Sequence, residues 1–483
     1  MAIIAGFMVP HPPLIVPEVG RGGEKQIEET TAAYEKVADR IAELKPDTIV
    51  LTSPHSIMYA DYFHISPGSG ATGSFAGFGA PSVKCDVTYD TEFVSALSVE
   101  SDLQGISAGT LGEKNRELDH GSLVPLYFIR QKHTDFRFVR TGLSGLPLTE
   151  HYRFGMAMAK VAETLGRRTV LVASGDLSHK LKDEGPYGFD PAGPEYDERI
   201  MDVMGRGDFG ELFLFDEHFL EKAAECGHRS FVIMAGAFDR TKVSIEKLSH
   251  QDVTGVGYGI CCYEAASAPG TDQSRAFLDV FEKAEEERRK AAMEKEDFFV
   301  RLARKSLETH ILTGRVLDAK EATDQLLRSA GEDKKEAFEK AADELLSRRA
   351  GAFVSLHKQG QLRGCIGTIG PVRSSLAEEI IENAVNAAVH DSRFLPVEKE
   401  ELPLIEYSVD VLSEPEDIDS EELLDVKRYG VIVTKGHKRG LLLPNLEGVD
   451  TIGEQLSIAK RKAGLSADEK GCSLQRFEVV RHY

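Results

Sequence analysis

For about 265 residues the chain alternates short apolar runs with amphipathic stretches, and at AASAPGTDQS that alternation stops. The apolar runs at 2–9, 48–52, 138–141, 169–173 and 256–263 have the length of buried strands, whereas 24–44 and 151–165 repeat apolar positions at helical spacing. Strand and helix signals in alternation predict an α/β layered sheet. The small, polar segment 265–274 carries no apolar periodicity and predicts a domain boundary. We place one domain over 1–267, a linker and connecting helix over 268–300, and a second domain over 301–483. The connector contains EKAEEERRKAAMEKED, whose acidic and basic residues are spaced for ion pairs between neighbouring turns of a solvated helix. The remainder mixes helices at 334–347 and 374–389 with strands at 352–356, 406–412 and 430–434, an α+β pattern.

Charge narrows the function. Lys and Arg number 58 against 79 Asp and Glu, a formal charge of −21, the wrong sign for a protein that tracks nucleic-acid phosphates. The apolar run at 2–9 has no basic region before it, and His11, Pro12 and Pro13 interrupt it far short of a membrane-spanning length. A cytoplasmic protein without a membrane role is expected. The 6 Cys include no CxxC pair and are too sparse for a disulfide scaffold or a structural zinc knot.

The histidines carry the chemistry. His11 follows the first apolar run in MVPHPP, His55 follows the second in LTSPHS, and His179 follows the fourth in SGDLSH, so each is expected on a loop leaving the carboxyl end of a strand. Ligands bind along that edge in open α/β sheets. His120 stands in LDHGSLVPL beside Asp119, at an apolar helix start. A lone His is more often a surface or satisfied core residue, the reading we give His64, His133, His151, His218 and His250; at the four motif positions we favour a site. Neutral imidazole is the commonest protein metal ligand, and two His plus a carboxylate leave open positions on Fe(II) for substrate and O2. The segment KAAECGHRSF offers Glu225 as the third ligand and Cys226 as its competitor, and spacing does not choose between them.

In order, MVPHPPLIVPEVG, SPHS, LDHG, SGDLSH and ECG resemble the class III extradiol dioxygenase catalytic-subunit superfamily, to which the Memo proteins also belong. The resemblance spans roughly residues 1–265 and implies a central mixed sheet flanked by helices. It makes His11, His55 and Glu225 ligands of a non-haem Fe(II), with Cys226 in the place where Memo-like relatives carry a Cys. Zn or Cu are the alternative metals. It also makes His179 and His120 the proton-transfer residues, a small catechol-type aromatic and O2 the substrates, and a homo-oligomer the expected assembly. The rival expectation is a Memo-like metal-binding interaction or redox module without ring cleavage.

SPGSGATGSFAGFG lacks the GK[ST] ending of a phosphate loop and is expected to be a surface loop. In the second domain, Gly364 and Gly367 flank Cys365 in LRGCIGTIG, which predicts a tight turn bringing the thiol close to Arg363. LRGCIGT, NAAVHDSRFLPV, IEYSVDVLSEPEDI and RGLLLPNLEG resemble the AMMECR family over roughly 296–483. That resemblance implies a two-lobed α+β domain with Arg363, Gly364 and Cys365 in its signature segment, and no settled reaction. His390 is a candidate partner for Cys365. The fusion also resembles one component of a three-part system that includes a radical S-adenosylmethionine protein. No CxxxCxxC occurs in this chain, so that protein is expected as a separate partner.

Overall fold

A strand buried on both faces reads as a nearly continuous apolar run. That is what the computed structural model shows for Ile3–Val9 (β1), Thr48–Thr52 (β2) and Thr169–Ser174 (β6), in which every residue but Ile4 is buried. The structure describes residues 3–114, 117–266, 272–358, 360–446 and 448–483. The chain divides into two compact units, Met1–Ala284 and Glu285–Tyr483. The division lies within the helix Phe277–Lys295, which the charged connector forms. The boundary expected at 267/268, and the start of the first run at Ala2, lie outside the described residues.

In the first unit, Gly70–Phe75 (β3) and Ala80–Thr88 (β4) form a separate antiparallel hairpin. Arg137–Thr141 (β5), Val243–Gln251 (β7) and Tyr258–Ala265 (β8) complete a six-stranded sheet in the order β5-β2-β6-β1-β8-β7. The first four strands are parallel; β8 runs antiparallel to β1, and β7 antiparallel to β8. Successive side chains of β6 enter different cores: Leu171 and Ala173 pack on one face, Val170 and Val172 on the other. Helices Glu28–Leu44 (α1) and His120–Lys132 (α2) cover one face, while Leu148–Leu165, Ala192–Arg206 and His228–Ala237 cover the other. A mixed sheet between two helical layers results, as the sequence pattern predicts.

Register aligns the carboxyl ends of the parallel strands. Val9 lies opposite Ser174 and Thr52 opposite Ala173, so the loops after β1, β2 and β6 leave from one edge.

In the second unit, Ala352–Lys358 (β9), Gln361–Gly367 (β10), Ile405–Leu412 (β11) and Val479–His482 form one four-stranded sheet in the order β10-β9-β11 and then Val479–His482. A second four-stranded sheet contains Gly430–Lys435 and its neighbours. Helix Leu376–Val389 (α3) packs on the first sheet through Leu376, Ile380, Ala384 and Ala387. The tight turn expected around Cys365 is replaced by a strand: Cys365 pairs with Ser355 and Gly364 with Leu356 across β9 and β10. Glycine is needed at 364 because a Cβ there would lie 2.1 Å from the Ala387 carbonyl oxygen of α3. No helix among the described residues is long and apolar enough to cross a membrane.

Candidate metal centre

His11 begins the site because its ring is fixed at both nitrogens. It lies buried just beyond β1, its main-chain N–H donates to Asp176 Oδ1 at 2.7 Å, and its Nδ1 lies 2.9 Å from Ser174 Oγ. Ser174 spends its own proton on the Gly121 carbonyl, 2.6 Å away. The hydroxyl must therefore accept from His11 Nδ1–H, which leaves the Nε2 lone pair of His11 as a ligand. That lone pair points at His55, whose Nε2 is 3.0 Å away. Two ring nitrogens this close share either one proton or one cation.

The third donor arrives from the loop before His228–Ala237. Cys226 Sγ lies 3.6 Å from His11 Nε2 and accepts the Asp176 N–H at 3.3 Å. Close backbone approach makes this geometry available: a Cβ on Gly175 would fall 2.0 Å from Gly227 Cα, so the SGD and CGH segments meet main chain to main chain. Donor atoms of His11, His55 and Cys226 all lie within 4.8 Å of one another. Metal–nitrogen bonds of about 2.1 Å and a metal–thiolate bond of about 2.3 Å separate two nitrogens by about 3.0 Å at a right angle, and nitrogen from sulfur by about 3.6 Å at a tetrahedral angle. The His11–His55 and His11–Cys226 separations each match one divalent ion, and a shift of His55 or Cys226 by a few tenths of an ångström brings a 4.8 Å span within the about 4.4 Å that a shared ion can bridge.

Glu225, the expected third ligand, lies outside this cluster. Its carboxylate accepts the His228 N–H at 2.6 Å, capping a helix start, and burial pushes its carboxyl up to about 7. Of the two candidates that sequence spacing left open, the neighbouring Cys226 is the one whose donor atom lies beside His11 and His55. Its thiol is raised by burial and by the nearby Asp176 and Glu225 carboxylates; a divalent cation reverses that balance by favouring the thiolate.

Two further imidazoles complete the cluster. The His120 ring is centred 3.9 Å from that of His55 and 5.4 Å from that of His11. His179 Nδ1 lies 2.6 Å from the Ala224 carbonyl, which accepts its proton and leaves Nε2 basic. Burial lowers all four imidazole pKa values, that of His55 to about 4, and the neighbouring rings add to the effect at His11 and His55. Neutral imidazoles are the form that binds metal and accepts protons.

Asp119 organises the wall beside His55. It caps α2 by accepting the Ser122 N–H at 3.0 Å, accepts from Ser53 Oγ at 2.5 Å and pairs with Arg140 at 3.3 Å. Arg140 is 2% exposed and also donates to the Glu117 carbonyl at 2.6 Å. With His55, Ser56, Ile57, Glu117, Leu118 and Asp119 it lines a cleft of about 240 Å³. A wider cleft of about 430 Å³ near Asp197 and His250 contains no member of the cluster. The sequence reading passed over Arg140, although a basic residue inside the apolar run of β5 is the kind of anomaly that marks a site.

The candidates of the second unit do not converge as expected. Arg363 is committed to Glu401 at 2.9 Å and to the Leu395 carbonyl at 2.9 Å. Burial alone would raise the Glu401 carboxyl, but hydrogen bonds from Arg363, Glu398 N–H and Lys358 hold it down at about 2. Cys365 Sγ accepts from Ser355 Oγ at 3.3 Å, and its main-chain N–H goes to Asp391 at 2.9 Å. Two residues of the HDSRF segment reach the Cys365 main chain, Asp391 through its carboxylate and Arg393, which donates to the Cys365 carbonyl at 3.4 Å, while His390 is exposed at the end of α3.

With this geometry in hand, comparison with known proteins is direct. The model of the catalytic LigB subunit of aromatic ring-opening dioxygenase matches residues 5–261. The chain belongs to the LigB family. The AMMECR1 model matches residues 300–482, so this LigB-family chain also carries an AMMECR1 domain. A Clostridium acetobutylicum protein is 40% identical over 489 residues, covering 100% of this chain and 99% of its own length, and has the same extent. A Thermotoga maritima protein is 53% identical over 148 residues, 30% of this chain and 85% of that protein. Among solved structures, an uncharacterised Pyrococcus horikoshii protein matches at 31% identity and a TM-score of 0.32, covering 38% of this chain and 89% of its own. LigB membership makes the first unit dioxygenase-like in family.

Proposed function

We propose that the first unit is a metal-dependent dioxygenase that opens a catechol-type ring next to its diol, using His11, His55 and Cys226 to hold the ion and His179 and His120 to move protons. The observation that carries this reading is the convergence of three ligand atoms within 4.8 Å at the carboxyl edge of a parallel sheet, with two more neutral imidazoles beside them. When bound, a redox-active divalent ion such as Fe(II) supplies Lewis-acid polarisation of the diol and a path for electrons between diol and O2.

The chain's own residues do the rest. His179 Nε2, free because Nδ1–H is spent on Ala224, takes the catechol proton and later returns it to the opening ring. His120, packed against His55, accepts a second proton and stabilises charge that develops near the ligands. Ser174 keeps His11 in the ligand tautomer throughout. Holding diol and O2 side by side removes the entropic cost of a three-body encounter.

A second reading, a Memo-like metal-binding redox module without ring cleavage, is favoured by one feature: the third donor within reach is a thiol, softer than the carboxylate of an oxygenase triad and suited to Zn or Cu. Protein purified without oxygen separates them. The dioxygenase reading expects about one Fe per chain, O2 uptake and a yellow ring-opened product from a panel of catechols. Zn or Cu at one per chain, with no O2 uptake after Fe(II) loading, would establish the second reading instead.

A further inference from the structure

The segment expected to be a glycine-rich surface loop is the β3–β4 hairpin, and its tip carries Phe78. Phe78 is 42% exposed, yet its ring packs on His120, with centroids 5.5 Å apart and planes at 67°. The tip is tied down: Gly79 turns through a positive φ of 81°, and its carbonyl accepts from Arg21 Nη2 at 3.1 Å. A second aromatic side chain approaches from another loop. Tyr187 is 61% exposed, and its ring stands edge-on to His179, with centroids 5.0 Å apart and planes at 85°. That loop is pinned at its base by the Leu181–Phe189 bridge and by Asp190 N–H donating to the Lys180 carbonyl at 3.1 Å.

Two anchored loops, distant in sequence, thus each place one exposed ring against an imidazole of the cluster that is not a ligand. Exposed aromatic rings scattered singly mean little, but two that pack on different imidazoles of one cluster, Phe78 on His120 and Tyr187 on His179, supply the flat apolar walls that a ring-binding subsite requires. We infer that Phe78 and Tyr187 are specificity-determining residues that hold the ring of the substrate while its polar end faces His11, His55 and Cys226. Edge-to-face and offset contacts with an incoming ring replace water on both side chains. The inference rests on the proposed metal-dependent site but not on ring cleavage.

Its test uses full-length protein loaded with Zn(II), which cannot pass electrons to O2, and reads binding by calorimetry for two probes. One is 4-nitrocatechol, a chelating diol on a ring; the other is oxalate, a chelator without a ring. Phe78→Ala and Tyr187→Ala are expected each to weaken 4-nitrocatechol about tenfold, to change oxalate less than twofold and to leave Zn content unchanged. Tyr187→Phe, which keeps the ring, should bind as the wild type does. The inference is overturned if 4-nitrocatechol fails to bind the wild type, if both alanine variants bind it within twofold of wild type, or if oxalate weakens in parallel. Selective loss of 4-nitrocatechol in the variants, together with no ring-opened product from Fe(II)-loaded wild type, would leave this subsite standing and remove only the ring-cleavage reading.

Discussion

Pro125 stands one helical turn after Gly121 in α2 and has no N–H to give the Gly121 carbonyl, which instead accepts the Ser174 hydroxyl at 2.6 Å. A proline that would ordinarily weaken a helix thereby fixes the proton on Ser174, and through it the tautomer of His11. Ser174→Ala should keep the fold and lower metal affinity about 10- to 100-fold, the usual effect of losing a group that orients a ligating His. Competition with a chromophoric chelator measures it. Unchanged affinity would mean that His11 does not depend on this hydroxyl.

Glu225 and Cys226, adjacent in sequence, should respond in opposite ways. Cys226→Ala removes a donor 3.6 Å from His11 Nε2 and is expected to abolish stoichiometric metal with little loss of stability. Glu225→Ala strips the cap from His228 N–H and should cost about 1 kcal/mol of stability while metal remains bound. Metal content by elemental analysis and unfolding in urea, measured on both variants, check the pair; metal loss in Glu225→Ala alone would restore the carboxylate as ligand.

Five strands of the sheet were legible because they are largely buried and read as nearly continuous apolar runs, β6, with TVLVAS wholly buried, being the plainest case; β7, mostly open to solvent and rich in polar residues, was not. His11, His55 and His179 were legible for a related reason, since each follows such a run, and His120 because it opens an apolar helix. Which of Glu225 and Cys226 faces His11 and His55 was not, because a one-residue step around a turn depends on the main-chain packing of Gly175 on Gly227, between segments far apart in sequence. The β3–β4 hairpin was hidden by its Gly content, which reads as loop even where Gly73 is required because a Cβ there would lie 2.7 Å from Leu118 Cβ.

His151 carries a pH dependence that is independent of metal. It is fully buried, its Nδ1 lies 3.1 Å from the Pro147 carbonyl, and burial lowers its pKa to about 3. The unfolded chain takes up this proton near pH 6.5, before the folded protein does, so the stabilisation is complete above pH 6.5 and is lost as the pH falls toward 3. Between pH 7 and pH 5 this group should account for about 2 kcal/mol of lost stability. Urea unfolding of wild type and His151→Gln over that range tests it: the variant should show a shallower fall, and parallel curves would contradict the assignment.

In the second unit the most demanding residue is Gly364, not the Cys365 beside it. Its main chain lies against α3 so closely that an added Cβ would be 2.1 Å from the Ala387 carbonyl oxygen and 3.0 Å from its carbonyl carbon, and neither atom can rotate away as a side chain could. Gly364→Ala must push β10 off the helix, at a cost of about 1–3 kcal/mol for an overpacked core. The movement should also break the Cys365 N–H bond to Asp391, 2.9 Å long in the native sheet. Hydrogen exchange should therefore quicken at Cys365 and along α3, and stay at wild-type rates in β1, β2 and β6. Equal acceleration in both units would point to global destabilisation, and wild-type rates throughout would show that the sheet absorbs the methyl group without leaving the helix.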